Sequence, residues 1–212
     1  AKGFVKAKEL LDGGAIGSLV SIQALEQVAY WHMAHSYVRG NWRRAEDTAP
    51  MILAKCCHDL DLLQYYAASK ATSVSSIGDL TYFKRECAPE GSAERCTDCK
   101  YSDTCAYSAK RIYIDSYVAQ GCPAETWPQN IVVIDTPLTV DKLQHALATT
   151  SPYGRCVFRC DNDVVSHQTT NILFENGVTA NLTMMGFTKC GGRIYKFFGT
   201  TGELVLDEEK EH

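Results

Sequence analysis

The sequence lacks any apolar run near the roughly 20 residues that a membrane-spanning helix needs. It also lacks a basic tract: 21 Lys and Arg stand against 25 Asp and Glu, for a formal net charge of −4. The cations are scattered, so binding to nucleic acid or to an anionic membrane surface has no electrostatic support. Proline is sparse, at six residues in 212, and the apolar and charged fractions of 45% and 22% are those of an ordinary globular protein. Disordered and collagen-like classes are thereby excluded. A dinucleotide fingerprint is missing as well. Such a glycine loop follows a strand and opens a helix, whereas Gly13, Gly14 and Gly17 follow a helical pattern and precede an extended one, as turn residues do. Internal repeats and low-complexity tracts are absent. The chain opens AKGFVKAKELL, without Met and directly on a helix-like pattern. It is expected to be an excised domain, and the lack of a leader says nothing of the parent protein.

Ten cysteines are present, well short of the density of a disulfide scaffold, and several lie inside apolar patterns where free thiols pack. A reducing, cytoplasmic setting is expected. The apolar spacing predicts a short helix over 4–11, a stop at Asp12-Gly13-Gly14 and a strand over 19–28. A helix over 51–66 follows, with Leu53, Cys57, Leu60, Leu63 and Ala67 at steps of three and four and Pro50 at its start. Next come a strand over 72–83, helices over 108–120 and 138–149, and a loop over 121–137 between them. Strands over 167–174 and 178–187 flank Glu175-Asn176-Gly177, a strong hairpin signal. Val178, Ala180, Leu182 and Met184 alternate with polar residues, so one sheet face is buried and the other polar. Strands over 193–198 and 203–206 extend the meander. The fold class expected is α+β: a largely antiparallel, open-faced sheet with helices packed on one face, plus a cysteine-rich insertion over 84–107.

The stretch MILAKCCHDLDLLQYY, residues 51–66, sets a histidine and acidic residues on an apolar helix, a frequent way to present a proton-transfer group. Lys55 and Asp61 each lie three residues from His58 and are candidates to orient or tune its imidazole. A core histidine satisfied by its neighbours is the alternative. Cys56 and Cys57 point in different directions on a helix, and packing is the expected role for them. The preceding stretch WHMAHSYVRGNWRR, residues 31–44, is dense in aromatic rings and arginines, groups that stack on sugars and donate to hydroxyl oxygens.

Read together, "AHSYVRGNWR" and "ILAKCCHDLDLL" resemble the carboxy-terminal, substrate-binding domain of the glucose-fructose oxidoreductase / inositol dehydrogenase / MocA (Gfo/Idh/MocA) family. Further matches are "GGAIGSLVSI", "YGRCVFRCDNDVVSHQ", "FENGVTANLTM" and "GTTGEL", so the resemblance covers nearly all of 1–212 apart from the cysteine-bearing insertion. It implies a nicotinamide-dependent oxidoreductase acting on a secondary hydroxyl of a sugar, cyclitol or related polyol. NAD or NADP would be bound mainly by a separate amino-terminal Rossmann domain that also carries a Glu-Lys-Pro lysine, and the open sheet face would make a homo-oligomer contact. His58 matches the family's catalytic histidine, with Lys55 beside it. Substrate contacts are expected from His35, Arg39, Trp42 and Arg43, in the loop after the first strand, and from Tyr153 and Arg155. For His167, on a predicted strand, a structural role is expected. One departure stands out: the family's aspartate four residues before the histidine is Ala54 here. Two other readings follow, a nicotinamide-dependent redox-assisted glycosidase and a non-catalytic, metal-stabilised sensor or assembly module.

Cys87, Cys96, Cys99 and Cys105 fall in the polar run ECAPEGSAERCTDCKYSDTC, which is poor in core-forming residues and needs a staple. Four thiolates suit a structural zinc, and the two-residue gap between Cys96 and Cys99 lets both sulfurs face one ion. An iron-sulfur cluster, free thiols and disulfides stay open, and Cys122 is a spare ligand.

Overall fold

The computed structural model describes residues 2–208. In chain order the elements are helix α1 (Lys2–Asp12), strand β1 (Leu19–Ala29), a helical turn α2 (Tyr30–His32) that runs into a π-helix (Met33–Arg39), and helices α3 (Met51–Ala54) and α4 (Cys57–Ala67). Strand β2 (Ala71–Asp79), a second π-helix (Lys110–Asp115), helices α5 (Ser116–Ala119), α6 (Gln129–Val132) and α7 (Val140–Ala148), and strands β3 (His167–Phe174), β4 (Thr179–Thr188), β5 (Gly192–Gly199) and β6 (Glu203–Asp207) follow. They form two compact units. The first takes the chain up to Ala29, Ala49–Asp79 and the residues from Val165 onward; the second takes Tyr30–Thr48 and Leu80–Val164.

The first unit is a six-stranded sheet in the order β2-β3-β4-β1-β5-β6. All neighbours are antiparallel except β1 and β4, which run parallel, because β1 is inserted between two strands that come much later in the chain. Asn176-Gly177 turns the β3–β4 hairpin, with Gly177 at a φ of 84° that favours glycine. Ile22, Ala24 and Val28 of β1, Ala180, Leu182 and Met184 of β4, and Tyr195 and Phe197 of β5 share the buried face. Helix α4 covers it with Leu63, Tyr66 and Ala67, and Tyr66 sits edge-on to Phe197 at 4.7 Å. Helix α1 brings Phe4 edge-on to Tyr195 at 6.1 Å. The opposite face is polar, with Asn181 donating to Asn171 and Thr179 to Ser21. The α+β reading with an open, largely antiparallel sheet therefore describes the molecule, with one parallel pair added.

Four local expectations change. The helix expected over 51–66 is broken at Lys55 and Cys56 into α3 and α4. The segment taken as a loop after the first strand is a π-helix in which all seven residues, Met33 to Arg39, are buried; its polar side chains turn into the second unit instead of outward. The strand expected to reach residue 83 ends at Asp79, and the loop expected over 121–137 contains α6.

Candidate functional site

In the first unit, β1 alternates Ile22, Ala24, Glu26, Val28 inward, which places a carboxylate at a position otherwise reserved for apolar side chains. Glu26 is 1% exposed. The break between α3 and α4 sets Lys55 against it, with Nζ 2.7 Å from Oε1. Arg193 of β5 reaches the other oxygen at 3.1 Å and also pairs with Asp59 at 2.9 Å. The Tyr195 hydroxyl donates to the same Asp59 oxygen at 3.0 Å. Two buried carboxylates are thus matched by two cations, which is how such charges are tolerated out of water. Burial pushes the Glu26 carboxyl above its ordinary value, and the Lys55 contact opposes the shift. Burial pushes the Tyr195 hydroxyl well up and the Cys56 thiol up to about 12, so neither supplies a nucleophile near neutrality.

His58 lies at the edge of this network, exposed on the first turn of α4. Its Nδ1 is 3.4 Å from Cys57 Sγ, which leaves Nε2 directed elsewhere. An open cleft of about 570 Å³ lies beside it, lined by Phe4, Val5, His58, Asp61, Leu62, Tyr65 and Arg193. The expected helpers of His58 therefore divide: Asp61 shares its cleft, whereas the Lys55 ammonium is committed to Glu26. Glu26, Asp59, Arg193 and Tyr195 were not singled out from the sequence. The signal for Glu26 was available, as an acid in register with Ile22, Ala24 and Val28. His167, at one end of β3, is half-buried with its Nδ1 3.5 Å from Ser166 Oγ.

The other site candidates belong to the second unit. His35 is 3% exposed, accepts or donates at Nδ1 with the Tyr113 hydroxyl at 3.0 Å, and stacks on Tyr153 at 4.6 Å. Arg39 is 0% exposed and donates to the carbonyls of Arg155 and Tyr107 at 2.7 and 2.6 Å. Arg39 therefore has no path to a substrate in solution, and that expectation gives way: a charged side chain counted as a surface donor is a core residue. His35 and Tyr153 are likewise packed inside. Arg43 and Arg155 remain accessible and converge on Asp161, with Arg43 forming a two-pronged pair at 2.9 and 3.0 Å and Arg155 adding 2.8 Å. The Arg43 hydrogen bond holds the Asp161 carboxyl far below the usual range. Trp42 is 38% exposed.

Burial depresses the His35 pKa from 6.5 to about 4. A histidine with a lowered folded-state value stabilises the fold fully above about pH 6.5 and loses that contribution as pH falls through 4, about 3 kcal/mol in all. Urea unfolding of wild type and His35→Gln between pH 7 and 4 should show the acid-side loss in wild type and a flatter profile in the variant. Equal profiles would show that the His35 imidazole titrates alike in the folded and unfolded states and carries no such linkage.

Residues 4–100 match the model of the GFO/IDH/MocA C-terminal domain. No curated protein matches the chain. Among solved structures, myo-inositol 2-dehydrogenase from Lactobacillus plantarum aligns with a TM-score of 0.52 at 10% identity, over 97% of this chain and 39% of that one. Scyllo-inositol dehydrogenase from Lactobacillus casei, with bound cofactor NAD(H) and scyllo-inositol, aligns with a TM-score of 0.51 at 14% identity, over 97% and 38%. The chain thus spans about two-fifths of the length of these structures. At such identities the likeness establishes the fold. Among the described residues no helix is long and apolar enough to cross a membrane.

Proposed function

We propose that this chain is a carboxy-terminal domain of the Gfo/Idh/MocA family, whose model its residues 4–100 match, and that it is the substrate domain of a nicotinamide-dependent oxidoreductase acting on a secondary hydroxyl of a cyclitol, sugar or related polyol. The observation that carries this reading is His58, exposed on the first turn of α4 and facing an open cleft that it shares with Asp61 and Arg193. With Nδ1 turned to Cys57, Nε2 takes the hydroxyl proton while hydride leaves the carbinol carbon. The nicotinamide, NAD or NADP, supplies the hydride acceptor when bound. Gly13, Gly14 and Gly17 lie between α1 and β1, the wrong order for a pyrophosphate loop, so cofactor binding is assigned to a separate domain. Lys55 holds Glu26 in place and acts on the site as a positioning residue. Of the polyol contacts expected from the sequence in the second unit, Trp42, Arg43 and Arg155 stay accessible. The ten free thiols suit a reducing cytoplasm.

The test is product analysis: the intact protein with NAD or NADP and a panel of cyclitols should accumulate ketone and reduced cofactor together. Glycoside cleavage without net cofactor reduction would favour the redox-assisted glycosidase, and no turnover on any polyol would favour the non-catalytic module that Ala54 suggests.

The same reading has a second copy of the chain cover the open sheet face, and it is supported by edge strand β2, exposed at all nine residues, Val74 and Ile77 at 60% and 79% among them. Charge placed there by Ile77→Lys should halve the mass measured by light scattering; a wild-type monomer would end this reading.

A further inference from the structure

Cys96, Cys99, Cys105 and Cys156 line one cavity of about 20 Å³ in the second unit, together with Arg39. That volume holds about one water-sized particle. Cys156 arrives from far along the chain because residues 95 and 155 form an isolated antiparallel bridge and the Cys156 amide donates to the Glu94 carbonyl at 2.9 Å. Cys87, the fourth sulfur expected from sequence, is elsewhere, directed at the Thr81 carbonyl at 3.8 Å. Among the described residues no three ligand side chains already stand in a metal-holding arrangement; thiolate sites draw their ligands together as the ion binds.

One further feature points to an anionic centre in this cavity. Beside Cys96 is the buried guanidinium of Arg39, which pairs with no carboxylate among the described residues. Its Nη2 is 3.5 Å from Cys96 Sγ, and its Nη1 has no hydrogen-bond partner. A buried cation needs a counter-charge. Four thiolates around a divalent ion carry two net negative charges and supply it.

We propose that Cys96, Cys99, Cys105 and Cys156 bind a single structural zinc ion, with Arg39 as the buried counter-charge of the tetrathiolate. Deprotonation frees Cys96 from the Arg155 carbonyl, its present partner at 3.8 Å, and leaves Arg39 donating to a thiolate. With four protein ligands the ion has no open position, so it holds the polar run 84–107 to residues 155–158 and takes no part in proton transfer.

The test uses the intact protein purified under reducing conditions. Elemental analysis should find one zinc per chain. Cys156→Ser should weaken zinc binding by more than about a hundredfold, Arg39→Gln by about tenfold to a hundredfold, and Cys87→Ser not at all. Should Cys156→Ser fail to fold, wild type reconstituted with cobalt answers separately: the visible bands and sulfur-to-metal charge transfer of a tetrahedral tetrathiolate ion are expected. Metal-free protein with all ten thiols titratable, a disulfide among these four cysteines, iron-sulfur absorption, or metal lost in Cys87→Ser and kept in Cys156→Ser would each overturn the proposal.

Discussion

His58→Ala in the intact protein is expected to lower kcat for polyol oxidation by at least about a hundredfold, the scale on which general acid-base groups contribute, with the fold retained. The side chain is exposed and its ring contact is to Cys57 on the same turn, so its removal opens no core cavity. Steady-state kinetics beside near-ultraviolet circular dichroism separate chemistry from folding. Cys57→Ala should leave most of the rate, because Nε2 and not Nδ1 faces the cleft in this account. Ala54→Asp, which restores the family's acid, should shift the pH profile of kcat more than its maximum. A folded His58→Ala protein with near-normal turnover across pH would make His58 a surface residue and Ala54 the mark of another mechanism.

Arg193→Ala should cost about 3–5 kcal/mol of stability, because it strands Glu26 and Asp59 beside each other with one cation, Lys55, left between them. Both carboxylates are about 1% exposed, so water cannot take the place of the guanidinium. The loss should depend on pH with a definite sign. Glu26 already has a raised folded-state pKa, from burial first, and removal of Arg193 raises it further. A carboxyl raised in the folded state favours folding below its unfolded value and loses that advantage as pH rises. Arg193→Ala should therefore be closest to wild type in mild acid and fall away towards neutrality, as read by chemical denaturation at pH 5 and pH 8. A difference that stays constant between those values would mean that the network is less buried than the geometry implies.

The sheet was legible because its signals are local: the Asn176-Gly177 turn and the alternation from Val178 to Met184 define a hairpin without reference to the rest of the chain. His58 stands out in the sequence for the same kind of local reason, as a polar residue on an apolar helix. Arg193 and Asp59 do not. Their roles depend on β5 lying beside β1, a pairing between residues far apart in sequence, and on the break at Lys55 and Cys56, which changes the phase of the helix and buries Asp59 where a continuous helix favoured Asp61. The π-helix over Met33–Arg39 has no periodic pattern to mark it, and a stretch with His35 and Arg39 in it reads as exposed until Tyr113, Tyr153 and the carbonyls of Tyr107 and Arg155 are seen to receive those side chains. Cys156 belongs with Cys96 and Cys99 only through the bridge between residues 95 and 155.

The proposed reaction has this domain present a polyol hydroxyl for hydride transfer to nicotinamide, with His58 taking the proton. The most direct measurement supplies the intact protein with a cyclitol deuterated at its carbinol carbons and follows the label by mass spectrometry. The account predicts one deuterium on the reduced nicotinamide for each ketone formed, and loss of both products in His58→Ala. Ketone without label on the cofactor, or labelled cofactor formed equally well by the folded His58→Ala protein, would contradict it.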